Sequence, residues 1–201
     1  KKNNSKVILP FRYAGGKYYA LKKLEPFWEN CPHDEYREPF LGGGAVFWAK
    51  SKVKFNILND IDEELIFTLN FIKDENNGNK LIRMFENEEE ATREMHAHVK
   101  QIEPKNHLER AYRYYYLNRT SFSGKMKNPS WGYRPMRSLP PCRWSERIVP
   151  CGEKLKNVEL LAVDFAEIII APAKSKNVLM FLDPPYYTSK QKSHYCHSFT
   201  K

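Results

Sequence analysis

The chain has 201 residues, of which 41% are hydrophobic and 14% aromatic, so it can bury one core and is not a mainly disordered protein. Lys and Arg outnumber Asp and Glu by 33 to 24, and the resulting net charge of +9 favours a polyanionic partner. No apolar run is long enough to span a bilayer, and the 4 cysteines include no Cys-x-x-Cys pair. We therefore expect no membrane partner and no disulfide framework, as in a protein of the reducing cytoplasm.

Two glycine-containing elements lie in the first part of the chain. Arg12–Lys17 combines an aromatic ring, glycines and cations, and Phe40–Gly44 precedes the apolar run Ala45–Trp48. Glycines let a backbone turn tightly and approach a ligand closely at the amino end of a following helix. The strand expected before the second element, His33–Arg37, is either short or an imperfect fit, because only Tyr36 is clearly suited to burial.

An acid follows the next predicted strand. Lys54–Leu58 has the pattern of a short strand and ends in Asn59 and Asp60. Helices are predicted on either side of it, at Val46–Lys50 and Glu63–Phe71. An acid at the tip of the second strand is positioned to bind ribose hydroxyls in an adenosine-type pocket. No Gly-Lys-Ser/Thr follows the glycines, which argues against a phosphate loop and favours an uncharged, nucleoside-like ligand.

The middle of the chain changes from helical to basic. Residues 73–118 have a helical pattern, in which the acidic run Glu86–Glu90 forms a solvated face and the tyrosines of Tyr112–Tyr116 pack between helices. Residues 119–150 carry Lys and Arg against one acid, Glu146, with prolines and aromatic residues between them. We expect a structured basic loop region that grips phosphates and wedges or stacks against bases, or else an irregular lobe whose tryptophans pack inward.

The α/β pattern returns in the last part of the chain. Glu159–Val163 is predicted as a strand that ends in Asp164 and Phe165, and Ala166–Ala171 as a short helix. The run Val178–Leu182 follows as a buried parallel strand. Both strands lead directly into an aspartate.

The segment Asp183-Pro184-Pro185-Tyr186 stops the last strand abruptly. The first proline restricts the residue before it to an extended conformation, and neither proline donates a backbone hydrogen bond. An Asp fixed at the carboxyl end of a buried strand is where an open α/β sheet places its ligand chemistry. With the flat face of the tyrosine beside it, the segment suits a planar, amine-bearing group such as a nucleobase. The alternative is an ordinary surface turn.

Several motifs occur in one order along the chain. They are Tyr13-x-Gly15-Gly16-Lys17, Glu38-Pro39-Phe40-x-Gly42-x-Gly44, Asn59-Asp60, Tyr115-x-Leu117-Asn118-Arg119-x-x-Phe122-x-Gly124, Asp164-Phe165 and Asp183-Pro184-Pro185-Tyr186. In this order they resemble the motif series of Dam-like (alpha-type) S-adenosylmethionine-dependent DNA adenine-N6 methyltransferases. The resemblance covers nearly the whole chain.

The resemblance implies an α/β fold with a Rossmann-like methyltransferase sheet, mostly parallel, and a helical and loop-containing target-recognition insertion. Residues 6–72 and 151–201 would form the discontinuous S-adenosylmethionine-binding catalytic domain, and residues 73–150 the helical and basic target-recognition insertion. Family members continue after the Asp-Pro-Pro-Tyr motif with a helix and further strands. This chain ends at Lys201, so we expect an incomplete sheet.

The resemblance also implies roles for individual residues. Asp183 and the Pro184 carbonyl would accept hydrogen bonds from the adenine amine, and Tyr186 would stack on a base rotated out of double-stranded DNA. Candidate contacts to S-adenosylmethionine are Tyr13, Lys17, Phe40, Gly42, Gly44, Asp60, Asp164 and Phe165. Candidate contacts to DNA are Arg119, Phe122, Lys125, Lys127, Arg134 and Arg137.

The implied activity is site-specific transfer of a methyl group from S-adenosylmethionine to the N6 amine of adenine in double-stranded DNA. A cognate restriction endonuclease would be a further partner, in the cytoplasm of a bacterial or phage-infected cell. No metal is expected, since His194, Cys196 and His197 match no standard zinc spacing.

Two alternatives remain at this point. The substrate would instead be another planar amine, such as cytosine N4, an RNA base or a glutamine side chain. Related enzymes for cytosine N4 tend to carry Ser, and those for glutamine Asn, where this chain has Asp183, which favours adenine. The second alternative is an inactive, truncated fragment that binds DNA or cofactor. Close Dam relatives have Asn-Gly-Leu where this chain has Ser123-Gly124-Lys125, so a GATC target is not carried over.

Overall fold

The computed structural model of the protein describes residues 7–185. Its sheet consists of β1 (Glu35–Glu38), β2 (Phe55–Asn59), β3 (Glu159–Leu161) and β4 (Val178–Met180). The strands run parallel in the order β3-β2-β1-β4, which confirms the expected α/β fold with a mostly parallel sheet. The direction of winding reverses between β1 and β4, and an open sheet binds its ligands at such a switch point.

Helices lie between these strands, and several begin where the sequence supplies a cap. The side chains of Asp62, Asp74, Thr92 and Asn106 each accept a hydrogen bond from a backbone amide in the first turn of the helix that follows. No helix within residues 7–185 is long and apolar enough to cross a membrane. The α-helices are α1 (Leu21–Glu29), α2 (Ala45–Ala49), α3 (Glu63–Lys73), α4 (Glu75–Arg83), α5 (Arg93–Gln101), α6 (His107–Thr120), α7 (Ser145–Leu155) and α8 (Phe165–Ile170).

Helices α3 to α7 form a helical unit inserted between β2 and β3. An aromatic cluster fills its centre, where the ring of Phe85 lies 4.7 Å from that of Trp144 and 5.7 Å from that of Tyr115. All three side chains are fully buried. The prediction that the tyrosines of this region pack between helices is confirmed. Burial of such large rings stabilises the helical unit.

Two predictions for this unit are wrong in detail. Residues 86–92 form turns between α4 and α5 rather than part of a helix. Glu88 in that run is half-buried rather than fully solvated, and it accepts a hydrogen bond of 2.6 Å from the hydroxyl of Tyr116. The predicted loop region 119–150 ends sooner than expected, since α7 begins at Ser145 and runs through the predicted domain boundary at residue 150. Its contacts with α3 and α4 join the two sides of that boundary.

All four residues of β1 are buried, although three of them are charged. Arg37 donates from Nε to Glu35 Oε1 at 2.7 Å. Its terminal nitrogens donate to the carbonyl oxygens of Ile168, Ala171 and Pro172 at 2.7–2.9 Å. The guanidinium fork therefore ties the central strand to the end of α8.

The other carboxylate oxygen of Glu35 is also engaged. It accepts hydrogen bonds from the backbone amides of Lys174 at 2.6 Å and Ser175 at 3.0 Å. Burial acts to raise the pKa of this carboxyl, but the hydrogen bond from Arg37 and these amides outweigh burial and lower the pKa. Of the two expectations for this strand, that it is short agrees with its four residues. That it is an imperfect fit is wrong, because the charges of Glu35 and Arg37 are paired inside the protein.

Strand β4 is shorter and less buried than predicted. It ends at Met180 rather than at Leu182, and one further hydrogen bond of 2.9 Å joins the Phe181 amide to the Arg37 carbonyl. Val178 and Leu182 are exposed. Among the residues described, β4 pairs only with β1, so it is an edge strand in this part of the chain and its side chains are only partly covered.

The buried ion pair of β1 makes a stability prediction. Replacing Arg37 with Met leaves the Glu35 carboxylate buried without its partner, and we expect the free energy of unfolding to fall by about 3–5 kcal/mol. Urea unfolding followed by circular dichroism measures this loss. Arg143→Met is the control, since the pair of Arg143 with Glu146 is exposed and the unfolding midpoint should not change. Equal midpoints for the wild type and Arg37→Met would contradict this account of β1.

Candidate functional site

The carboxyl ends of the strands meet at one edge of the sheet, beside a cavity of about 330 Å³. Loops from both ends of the chain line it, and its size suits a small organic ligand. The eight residues predicted to contact the cofactor all line this cavity, and so does Asp183. The eight are Tyr13, Lys17, Phe40, Gly42, Gly44, Asp60, Asp164 and Phe165.

The loop after β1 depends on glycine. Gly42 has a φ of 48°, in the left-handed region that favours glycine, and a Cβ there would lie 2.8 Å from a ring carbon of Tyr13. The tyrosine ring therefore packs directly on the backbone of the loop. Gly44 has a φ of 63° and leads into α2. Two motifs that are separate in sequence thus form one wall of the cavity.

Asp60 holds this loop from the end of β2. One carboxylate oxygen accepts a hydrogen bond of 2.7 Å from the Gly42 amide, and the other accepts one of 3.0 Å from the Asp62 amide. Asp60 therefore positions the glycine loop as well as facing the cavity.

Asn59 is a site residue whose role the motif analysis missed. Its buried side-chain amide donates to the carbonyls of Pro39 and Val163, both at 3.0 Å, and its oxygen accepts from the Val163 amide at 3.0 Å. One side chain therefore joins the end of β2 to the segments that follow β1 and β3. A buried polar residue between an apolar run and an acid is the sequence signal for such a role.

Aromatic rings form another wall of the cavity. The centroids of Phe40 and Phe165 lie 4.9 Å apart, with an angle of 32° between the ring planes. The neighbouring Asp164 is exposed and accepts a hydrogen bond of 2.8 Å from the Ala166 amide, which caps α8. Flat apolar faces beside a carboxylate suit a planar heterocycle that carries an amine.

Asp183 meets the first glycine element. The Lys17 ammonium lies 2.5 Å from Asp183 Oδ2, and both side chains are 25% exposed. The same ammonium donates to the Gly15 carbonyl at 3.2 Å. A cation from the amino-terminal part thus balances the carboxylate at the switch point between β1 and β4. Pro184 is exposed, and Tyr186 lies outside the described residues, so its stacking role stays a prediction.

Glu38 lies at the carboxyl end of β1, where it lines the cavity and is 2% exposed. The Tyr36 hydroxyl donates a hydrogen bond of 2.7 Å to it. Burial and the charge of Asp183 raise the pKa of Glu38 to about 8, although the Tyr36 bond and the charge of Lys50 oppose this rise. The motif analysis gave Glu38 no role. The sequence feature that could have indicated a role for Glu38 is a charged residue at the end of a central strand, directly before a glycine loop.

Most of the predicted DNA contacts lie on one loop, residues 121–139, called the exposed loop below. An antiparallel bridge between Ser121 and Trp131 ties its first part together. Arg119 does not belong to this surface, because its side chain is only 7% exposed at the end of α6. The predicted contact between Arg119 and DNA therefore stays a prediction. The exposed loop carries Phe122, Lys125, Lys127, Arg134 and Arg137, all exposed except the half-buried Lys125.

The metal expectation concerns the end of the chain. His194, Cys196 and His197 lie outside the described residues. Within residues 7–185, no group of three or more His, Cys, Asp or Glu side chains is arranged to hold a metal ion. The absence of a metal therefore stays a prediction for the whole chain.

Comparison with known proteins gives one family for this arrangement. Residues 13–200 match the D12 class N6 adenine-specific DNA methyltransferase family. The chain is similar to the Type II methyltransferase M.MjaIII of Methanocaldococcus jannaschii, with 30% identity over 96% of this chain and 74% of that protein. The Type II methyltransferase M.CviBI of Paramecium bursaria Chlorella virus NC1A is 29% identical, over 94% and 73% of the two chains. A DNA N-6-adenine-methyltransferase of Escherichia phage P1 is 28% identical over 88% of this chain and 24% of its own.

The raised pKa of Glu38 predicts a pH-dependent stability. A carboxyl whose pKa is higher in the folded state than in the unfolded state stabilises the fold when it is protonated. This contribution is complete below the unfolded pKa of about 4.3 and is lost as the pH rises through the folded pKa of about 8. Glu38→Gln removes this titration. Its melting temperature should therefore fall less steeply than that of the wild type between about pH 5 and pH 8, as measured by calorimetry. Parallel curves would show that Glu38 does not titrate in this way.

Proposed function

Because the chain belongs to the D12 class of N6 adenine-specific DNA methyltransferases, we propose that its cavity holds S-adenosylmethionine and that adenine enters beside Asp183. The reaction of this family is methylation of the N6 amine of adenine in DNA. The observation that carries the proposal is the ion pair of Lys17 and Asp183, two motif residues from distant parts of the chain, at the wall of one cavity.

The residues around the cavity fit S-adenosylmethionine, which supplies the methyl group when bound. The glycine loop leaves its backbone accessible, as Gly42 has no side chain that would press on Tyr13. The Asp60 carboxylate is the acceptor for ribose hydroxyls. Phe40 and Phe165 offer flat faces to a purine, and Asp164 and Lys17 are further polar contacts at the cavity wall.

Asp183 and the Pro184 carbonyl would act together on the adenine amine. Its lone pair is delocalised into the ring, which makes the nitrogen a poor nucleophile. Two acceptors that bond its N–H groups favour a tetrahedral nitrogen and so free the lone pair to accept the methyl group. The sulfur–methyl bond of the cofactor would break with its electron pair left on sulfur, and the nitrogen would then lose one proton. Lys17 holds the Asp183 carboxylate in place before the amine arrives. Alignment and electrostatics supply most of the rate gain in this scheme.

The adenine would reach Asp183 by rotation out of the duplex, with Tyr186 as its stacking partner. We assign residues 73–150 to target recognition and residues 6–72 and 151–201 to catalysis, with α7 shared between them. In the exposed loop, Phe122 is an apolar wedge for the DNA stack. The phosphate or base contacts of the exposed loop are Lys125, Lys127, Arg134 and Arg137.

We also propose that the chain works beside a restriction endonuclease, in the compartment that holds the DNA. Two of the similar proteins are named type II methyltransferases. Sequencing that detects N6-methyladenine in DNA from an expressing host identifies the methylated site. We expect an endonuclease from the same source to cut that site only when it is unmethylated. Cleavage of fully methylated DNA by every endonuclease of the source would refute this partnership.

Asp183→Ala should separate chemistry from cofactor binding. We expect methyl transfer to fall by about 10²–10³-fold or more, because the amine loses its charged acceptor. The assay uses unmethylated genomic DNA, digestion to nucleosides and mass spectrometry of N6-methyladenine. Calorimetric binding of S-adenosylmethionine should change little in this variant.

Asp60→Ala is the contrasting variant. It removes the ribose acceptor and the brace of the glycine loop, so we expect S-adenosylmethionine to bind about tenfold or more weakly. Methyl transfer should recover toward the wild-type rate at saturating cofactor. Near-normal transfer by Asp183→Ala would exclude Asp183 as the amine acceptor, and unchanged cofactor affinity in Asp60→Ala would exclude the ribose role.

A further inference from the structure

Three arginines lie together where the amino-terminal segment packs between α6 and α7. They are Arg12, Arg119 of α6 and Arg147 of α7, called the arginine cluster below. Arg119 is 7% exposed and the other two are half-buried. Burial lowers the pKa of Arg119 to about 10; the charges of Arg147 and Arg12 add to this effect, and Tyr115 opposes it. Burial and the charges of Arg134 and Arg147 lower the pKa of Arg12, so these guanidiniums are close enough to repel one another.

No carboxylate is paired with this charge in the part of the chain that the structure describes. The ion pairs within residues 7–185 include none to the arginine cluster, and the Nε atoms of Arg119 and Arg147 are buried without a hydrogen-bond partner. Within the described residues, the side chains of the cluster donate to carbonyls alone, from Arg12 to Arg119 at 3.2 Å and from Arg147 to Leu9 at 2.9 Å. The buried Arg37, in contrast, is paired with a carboxylate.

Anchoring of the amino-terminal segment does not account for the arginine cluster. A neutral donor would satisfy each carbonyl, whereas holding three like charges together with one of them buried costs free energy. The arrangement becomes favourable when an anion joins it. Arginine forks match phosphate oxygens in geometry as well as in charge. The cluster therefore has the composition of a phosphate-binding site.

The position of the cluster favours a phosphate of DNA. Arg12 precedes Tyr13, which lines the cavity. Asn118 fixes the backbone of Arg12, accepting from its amide at 2.8 Å and donating to its carbonyl at 2.9 Å. Gly124 of the exposed loop packs so closely there that a Cβ would lie 2.1 Å from the Arg12 carbonyl oxygen. The cluster therefore lies between the cavity and the exposed loop, which also carries the exposed Arg134.

We propose that the arginine cluster, together with Arg134, binds one backbone phosphate next to the adenine that is rotated out of the duplex. This rests on the methyltransferase function proposed above, because the backbone of an extruded nucleotide has to pass between its pocket and the duplex. The amino-terminal segment then belongs to the DNA-binding surface. Part of the affinity for DNA comes from charge that the free protein holds uncompensated.

The salt dependence of DNA binding tests this site. Arg12→Gln and Arg147→Gln are compared with the wild type for binding to a fluorescein-labelled, unmethylated duplex over a series of KCl concentrations. Loss of one phosphate contact makes the slope of log K against log[KCl] shallower by about 0.9. Because the cluster shares one phosphate, we expect each single variant to lose part of that amount and the double variant Arg12→Gln/Arg147→Gln to approach it. Arg143→Gln is the matched control, since Arg143 is exposed and paired with Glu146, and its slope should equal that of the wild type. An unchanged slope in both cluster variants would overturn the proposal.

A second measurement uses the wild-type chain and needs no variant to fold. Phenylglyoxal modifies accessible guanidiniums, and mass spectrometry locates the modified residues. We expect the duplex to protect Arg12 and Arg134 while Arg143 stays reactive. Inorganic phosphate at the same phosphate concentration should protect Arg12 far less. Protection by inorganic phosphate equal to that by DNA, or no protection by DNA, would overturn the assignment to a DNA phosphate.

These measurements do not depend on methyl transfer. A shallower slope in the variants of a chain that forms no N6-methyladenine would refute the proposed function and leave the phosphate site standing. Normal methyl transfer with unchanged slopes in both cluster variants would refute the phosphate site and leave the proposed function standing.

Discussion

Compensation of charge inside the central strand is the constraint on which the rest of this structure depends. Successive residues of β1 lie on opposite faces of the sheet, with Glu35 and Arg37 on the face that contacts α8 and Tyr36 and Glu38 on the other. Arg37 holds the carboxyl end of α8, and Glu35 holds the backbone that leads into β4. Because Asp183 follows β4 closely, its position depends on the ion pair between Glu35 and Arg37, which lie two residues apart in β1 at the centre of the sheet.

Polar side chains at the strand ends fix the walls of the cavity in the same way. Asn59 joins three strand ends and Asp60 holds the glycine loop, so the cavity walls are fixed by groups of the protein itself. The carboxyl groups of Glu38 and Asp183 have different surroundings in this cavity. Glu38 is buried beside a hydroxyl and, with a pKa of about 8, is mostly protonated near neutral pH, whereas Asp183 is paired with Lys17. A neutral Glu38 limits the negative charge that accumulates around Asp183.

The fold class and the lining of the cavity could be predicted from the sequence because both depend on local patterns in a fixed order. An apolar run followed by an acid or a glycine loop is visible in any short window, and the residues so marked meet at one sheet edge. The burial of β1 could not be predicted, since Arg37 finds a partner carbonyl 131 residues later in the chain. Likewise, no sequence pattern near Arg119 predicts its burial, because the residues around it come largely from α7 and the amino-terminal segment. The polar role of Glu88 depends on Tyr116, which lies on another helix.

Helix α7 limits where the segment assigned to target recognition can be cut and transferred to another protein. It begins within the segment assigned to recognition, ends within the catalytic part and packs against α3 and α4 on the way. A cassette cut at residues 73 and 150 would therefore sever a helix and divide its core. The exposed loop, in contrast, leaves from the end of α6 and returns before α7 begins. Recombination or grafting at the ends of that loop would replace the surface that we propose contacts DNA without breaking a buried helix.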